Sequence, residues 1–166
     1  MAYALSTIAN AFIRMAQERD CNDLTPMKLL KLMYIAHGWS LGLFNRPLFV
    51  EEVEAWKYGP VIRELYHEVK RYRNRPIDQM LSAPINESIE DMDEMLLDQV
   101  WNAYGHYDGL ALSSITHRPN SPWSETWDER GMHGLTIPTP RIREHYQSLA
   151  TAGRERQQQE HEHAAV

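Results

Sequence analysis

Apolar residues in this chain repeat mostly at helical spacing. Residues 3–19 place their apolar side chains on one face, which predicts an amphipathic helix. Residues 27–43 are apolar around almost the whole circumference, so we expect a central, mostly buried helix. Residues 86–104 combine an apolar stripe with an acidic outer face, which fits either a solvated helix or a docking surface for a basic partner.

One short stretch, residues 51–56, alternates instead and predicts a strand. Gly59-Pro60 interrupts this alternation, and helical spacing follows it. Proline is well tolerated at a first helical position, so we expect the strand to turn tightly into a helix that begins at Pro60. Residues 135–138 are a candidate second strand that would pair with the first.

A serine or threonine directly before proline occurs at Thr25-Pro26, Ser121-Pro122 and Thr139-Pro140. The side-chain oxygen can cap free N–H groups and the proline suits the first turn, so each pair predicts the start of a helix. Further apolar spacing predicts a short helix at 110–116.

The predicted fold is mainly α, with six to seven helices around the central hydrophobic helix and a small β element at 50–57. Within the central helix, Lys28 and Lys31 are expected to form a charged edge, and Gly38 and Gly42 to allow close packing. One domain is expected over residues 1–150. Residues 151–166 form a polar tail that we expect to be mobile or an extended, frayed helix.

Composition narrows the classes of function. The 166 residues are 43% hydrophobic and 24% charged, as in ordinary globular proteins, and the net charge of -6 argues against a general nucleic-acid binder. No apolar run approaches the roughly 20 residues that span a bilayer, so no membrane association is expected. The single cysteine, Cys21, excludes an internal disulfide framework, and residues 1–10 lack the pattern of a signal peptide. These features favour the cytoplasm.

The sequence carries no convincing catalytic motif. It lacks a glycine-rich phosphate loop and a zinc-binding HExxH pattern, so neither a cofactor nor a metal is predicted, and we do not expect an enzyme. If the chain were an uncharacterised hydrolase, its candidate acid and base residues would be His37, His67 and His117 with Glu54 or Glu64. His117-Arg118 could bind free helix carbonyls or anchor an interface.

Six stretches occur in a specific order and spacing: residues 29–39, 46–49, 54–61, 100–105, 112–118 and 121–123. The first includes Leu29-Leu30-Lys31-Leu32-Met33-Tyr34-Ile35-Ala36-His37-Gly38-Trp39, and the third is Glu54-Ala55-Trp56-Lys57-Tyr58-Gly59-Pro60-Val61. Together they resemble the Panacea antitoxin domain of the SocA-like antitoxin family, over nearly the whole chain.

The resemblance implies a bacterial or prophage protein that neutralises a toxin encoded beside it, by protein–protein contact and without a catalytic centre. Some members of this family instead present the toxin to an ATP-dependent protease. An alternative is a regulatory protein of a phage or mobile element that binds a host factor. The identity of the toxin and the oligomeric state stay open, as does the hypothesis that the terminal Ala164-Ala165-Val166 is a degradation signal.

Eight residues are the predicted partner-binding site, in two turn-rich, aromatic segments that we expect to lie close together. They are Trp56, Lys57, Tyr58, Gly59, Pro60, His117, Arg118 and Trp123. The alternative is that the first segment is only a structural hinge.

Overall fold

The computed structural model describes residues 2–128 and 134–165, and one helix, α2 (Pro26–Phe44), lies at its centre. Thr25 caps this helix by accepting a hydrogen bond from the backbone N–H of Lys28, and Pro26 occupies its first turn. Asn45 ends it in the left-handed conformation, with φ of 55°. Buried residues lie on every side of α2, which confirms the predicted central helix.

The remaining elements surround α2. In chain order they are α1 (Leu5–Glu18), β1 (Glu54–Trp56), β2 (Gly59–Val61), α3 (Arg63–Val69) with a 3₁₀ turn after it (Lys70–Tyr72), α4 (Asp91–Tyr104), α5 (Gly109–Thr116), α6 (Pro122–Thr126), β3 (Leu135–Thr136) and α7 (Thr139–Ala164). The predicted fold class, mainly α with a small β element, is therefore confirmed. None of the described helices is long and apolar enough to cross a membrane.

Helix α7 packs directly on α2 through Tyr146. A Cβ atom added at Gly42 would lie 2.8 Å from the Tyr146 Cβ, and one added at Gly38 would overlap the Tyr146 ring. The two glycines thus permit the close packing that their spacing predicted. From Thr151 onward α7 is solvent-exposed apart from the half-buried Gly153, and its mobility remains a prediction. Val166, the last residue of the suggested degradation signal, lies outside the described residues.

The three strands form an antiparallel sheet in the order β2-β1-β3. Strand β3 pairs with β1, Glu54 opposite Thr136 and Ala55 opposite Leu135, which confirms the predicted pairing of the two segments. The first strand is shorter than predicted, since it begins at Glu54 rather than at residue 51.

The predicted turn from strand into helix at Pro60 is wrong. Gly59–Val61 is instead the second strand of a hairpin, with Trp56 opposite Gly59 and Lys57-Tyr58 as the connecting residues. Proline lacks a backbone N–H and is tolerated on an edge strand, which β2 is. The helical spacing after Pro60 is real, but the helix starts only at Arg63.

The predicted helix starts have mixed outcomes. Ser121 accepts a hydrogen bond from the Ser124 N–H in a reciprocal capping box, as its position before proline predicted. At the last helix the prediction of a threonine cap is wrong, because Thr139 is already helical and Pro138 takes the cap position. Helix α4 begins at Asp91 rather than at residue 86.

The acidic face predicted for α4 is interrupted by a buried carboxylate. Asp93 is fully buried and accepts hydrogen bonds from the Tyr3 hydroxyl at 2.6 Å and from Arg46 at 2.8 Å. Met92, which belongs to the apolar stripe predicted over residues 86–104, is exposed instead. The first turn of α4 is therefore rotated from the predicted orientation, since one acid faces the core and one apolar residue faces solvent.

Candidate partner-binding surface

The turn of the β1–β2 hairpin projects a cation and an aromatic ring into solvent. Lys57 and Tyr58 are both exposed, Tyr58 to 57%. The Lys57 Nζ lies 5.5 Å from the centroid of the Tyr58 ring, within the range of a cation–π contact. The hairpin tip, which we define as Lys57 and Tyr58, is thus the exposed part of the first predicted segment.

Three backbone carbonyls of this hairpin accept hydrogen bonds from side chains of the helices against which it packs. The Trp56 carbonyl accepts from the Trp123 indole N–H at 2.6 Å, and the Tyr58 carbonyl from the Ser113 hydroxyl at 2.5 Å. The Pro60 carbonyl accepts from the Lys31 ammonium at 3.1 Å. The donors come from α6, α5 and α2, so three separate helices fix the backbone on both sides of the tip.

Lys31, predicted as part of a charged edge, is instead a buried anchor of the hairpin. It is only 2% exposed, and burial lowers its pKa to about 7 because the charged form loses its hydration. Gly59 makes the close approach possible: a Cβ there would lie 2.8 Å from the Lys31 Cε, and its φ of 117° is rarely adopted by other residues.

Trp56 contributes mainly to the packing of the hairpin and less to its exposed surface. Its ring is half-buried and meets the Tyr66 ring edge to face at 5.0 Å. Its indole N–H lies 3.3 Å from Glu54, and the Glu54 carboxylate also pairs with Arg63 at 2.7 Å. Replacing Trp56 would therefore disturb the sheet as well as the surface.

The second predicted segment lies next to the hairpin, as the sequence led us to expect. Trp123 is buried, and its ring centroid is 5.2 Å from that of the half-buried His117. Arg118 is exposed and lines a cavity of about 440 Å³. The eight predicted residues therefore form one region, divided into buried supports and three exposed side chains, those of Lys57, Tyr58 and Arg118.

Two supports of this region were missed by the sequence analysis, namely Lys31 and Ser113. Both fall within the stretches that carry the family resemblance, and that was the available signal. Their hydrogen bonds reach residues far along the chain, which helical spacing does not reveal.

Two of the histidines considered for a hydrolase, His37 and His117, have structural partners. His37 accepts a hydrogen bond from the Leu48 N–H and stacks on Phe49, and burial lowers its pKa to about 4. The Ser113 hydroxyl lies 3.3 Å from the His117 Nδ1, but it donates to the Tyr58 carbonyl. Among the described residues, no group of three or more histidines, cysteines or carboxylates gathers where it could hold a metal ion.

Comparison with known proteins identifies the family of the chain. The family model described as "Antitoxin SocA-like, Panacea domain" matches residues 29–124 of the chain. The chain belongs to the SocA-like antitoxin family. The matched part of this Panacea domain contains the hairpin, α5 and the start of α6, and hence all eight predicted residues.

A curated relative agrees with this assignment. Antitoxin SocA of Caulobacter vibrioides is 29% identical over 130 residues, which cover 70% of this chain and 66% of the relative. The match therefore spans slightly less than two thirds of that protein's length. No solved structure gives a significant match to this chain.

Proposed function

We propose that this chain is an antitoxin that neutralises a cognate toxin by direct protein–protein contact, through the hairpin tip and Arg118. Membership of the SocA-like antitoxin family and the likeness to antitoxin SocA support the general role. In this proposal the chain acts in the bacterial cytoplasm, on a toxin encoded by an adjacent gene.

The observation that carries the choice of surface is an exposed tip on a fixed backbone. Tyrosine and arginine are enriched among residues that dominate binding energies, and Tyr58 and Arg118 are both exposed. The three carbonyl bonds hold the backbone around Tyr58 before any partner arrives. A surface that is ordered in advance loses less conformational entropy on binding, which favours affinity.

The test is co-expression of the product of the adjacent gene with wild type or with a Lys57→Glu/Tyr58→Ala variant. We expect the variant to keep its melting temperature, to capture at least about tenfold less toxin and to lose protection of growth. Lys70→Glu is the matched control, because Lys70 is an exposed lysine outside the hairpin and should behave as wild type.

Two results would contradict the proposal. If the double variant binds the toxin and protects cells as well as wild type does, the hairpin tip is not the contact surface. If wild type protects cells without binding the toxin, direct neutralisation is wrong. Toxin levels measured with and without the cell's ATP-dependent proteases separate occlusion, which leaves the toxin intact, from delivery for degradation.

A further inference from the structure

A second concave site lies beside the hairpin region, between α2, α4 and α7 and the loop that follows α5. This cavity of about 440 Å³ is within the size range of small-molecule pockets. Its apolar walls include Ile35, Ile115, Pro122 and Leu149. None of the residues proposed above except Arg118 lines it.

Two buried tyrosines on the cavity wall have unused hydroxyl groups. Tyr34 is 2% exposed and Tyr146 is 4% exposed, and their rings meet edge to face at 6.1 Å. Among the described residues, neither hydroxyl forms a hydrogen bond, and neither oxygen is one of the fully buried polar atoms without a partner, so both are open to the cavity that the two residues line. Each hydroxyl can therefore donate a hydrogen bond to a ligand in the cavity, and the ligand that suits it is one that accepts hydrogen bonds.

A third hydroxyl belongs to the same group. Tyr104, half-buried, lines the cavity as well. The pKa of Tyr146 is raised chiefly by burial and further by its neighbours Tyr34 and Tyr104, as expected for phenol groups that lie close together. Burial raises the pKa of Tyr34 as well, so the phenols of Tyr34 and Tyr146 stay protonated at neutral pH and can donate.

The cavity favours a negative charge although the chain as a whole is acidic. The net charge of the chain is -6, yet no aspartate or glutamate lines the cavity and Arg118 does. His145 also lines it, and its pKa is lowered first by burial and then by the nearby Arg141, both of which favour the neutral imidazole. Arg141 itself is engaged by both carboxylate oxygens of Glu125.

We propose that this cavity binds a carboxylate attached to an apolar group. The phenol hydroxyls of Tyr34 and Tyr146 donate to the carboxylate, and the Arg118 guanidinium supplies the opposite charge at the mouth. The apolar group packs on the wall formed by Ile35, Ile115 and Leu149. Such a carboxylate could be supplied by a free small molecule or by the C-terminus of a protein chain.

The test is an NMR titration of the full chain with N-acetyl-phenylalanine, with N-acetyl-phenylalanine amide as the neutral control. We expect the acid to shift the signals of Tyr34, Arg118 and His145, and the amide to bind at least about tenfold more weakly. Tyr34→Phe removes only a hydroxyl and Arg118→Gln only a charge, so each should weaken binding about five- to tenfold without unfolding the protein. Arg75→Gln, an exposed arginine elsewhere, should change nothing.

Two peptides distinguish the sources of the carboxylate. Both end in phenylalanine, one with a free carboxylate and one amidated. Tighter binding of the free-ended peptide than of N-acetyl-phenylalanine assigns the site to a chain terminus, and binding of the small acid alone assigns it to a free compound. The proposal is overturned if neither acid binds, if the amides bind equally well, or if both Tyr34→Phe and Arg118→Gln leave binding unchanged. These measurements need no toxin, so they are independent of the proposed antitoxin function.

Discussion

Two lysines one helical turn apart on α2 are both buried, yet their surroundings differ. The Lys28 ammonium bonds to the Asp23 carboxylate at 2.7 Å and to the Gly105 carbonyl at 2.6 Å, and it lies 5.5 Å from the Trp101 ring. The Lys31 ammonium donates to the Pro60 carbonyl and has no carboxylate partner among the described residues. The charge of Lys28 is therefore balanced by a carboxylate, whereas the charge of Lys31 is balanced only by the dipole of one carbonyl group.

The difference shows what each lysine does for the fold. Lys28 joins the loop before α2 to the end of α4, and its charge stabilises that junction. Lys31 joins α2 to the hairpin at a cost, because its charge is buried without a counter-ion. Lys31 lowers the stability of the fold but fixes the position of the exposed hairpin tip. We infer that a fixed position of the tip is worth this loss of stability.

The largest expected effect comes from Lys28→Met. The variant leaves the buried Gly105 carbonyl without its donor and removes the Asp23 pair, so we expect a loss of about 3 kcal/mol in the free energy of unfolding. Guanidinium denaturation measures it. Lys70→Met, at an exposed lysine, should stay within about 0.5 kcal/mol of wild type. A loss below about 1 kcal/mol would show that the two lysines do not differ as their contacts indicate.

Lys31 should make stability depend on pH in the alkaline range. Its pKa is about 7 in the folded chain and near 10.5 when unfolded, so between these values the unfolded chain binds one more proton. The free energy of unfolding should therefore rise with pH in this window, at about 1.4 kcal/mol per pH unit from this group.

The variant Lys31→Met tests that dependence by denaturation at pH 7, 8 and 9. It should lack the part of the rise that Lys31 supplies, while Lys28→Met, although less stable, should retain it. Equal slopes in wild type and Lys31→Met would refute the assignment. The difference in the free energy of unfolding between wild type and Lys31→Met at each pH also shows how much the hydrogen bond to the Pro60 carbonyl contributes to stability.

A smaller effect is expected from Gly59→Ala. The φ of 117° is unfavourable for alanine, and the new Cβ would press on the Lys31 stem, so we expect a loss of about 1–2 kcal/mol. Gly153→Ala is the matched control, because Gly153 is helical with open space around it and should gain about 0.5–1 kcal/mol. Thermal melts of both variants measure these effects. An unchanged melting temperature for Gly59→Ala would mean that the hairpin backbone can adjust to the new side chain without loss of stability.

Local chemistry explains what the sequence could predict of the fold. Thr25-Pro26 and Ser121-Pro122 contain their own caps, so these helix starts were predictable. The hairpin was not, since Lys57-Tyr58 lacks the usual turn residues and Gly59-Pro60 resembles a helix start. The burial of Lys28 and Lys31 depends on distant partners, which spacing along a helix does not reveal.

The candidate surface shows the same limit. The closeness of the Trp56 and His117–Trp123 segments was predicted, and the indole bond from Trp123 to Trp56 confirms it. The sequence could not show that the two tryptophans are supports while Lys57 and Tyr58 are exposed. The cavity tyrosines were missed because Tyr34 and Tyr146 sit in apolar stripes that predict only packing.

The three carbonyl bonds beneath the hairpin have a consequence for the life of the protein in the cell. Because α2, α5 and α6 must all be docked for these bonds to form, a partly unfolded chain could not present the tip in its native shape. If the tip recognises a toxin, recognition would report on the integrity of the whole domain. A copy in which any of these three helices is undocked would then fail to bind.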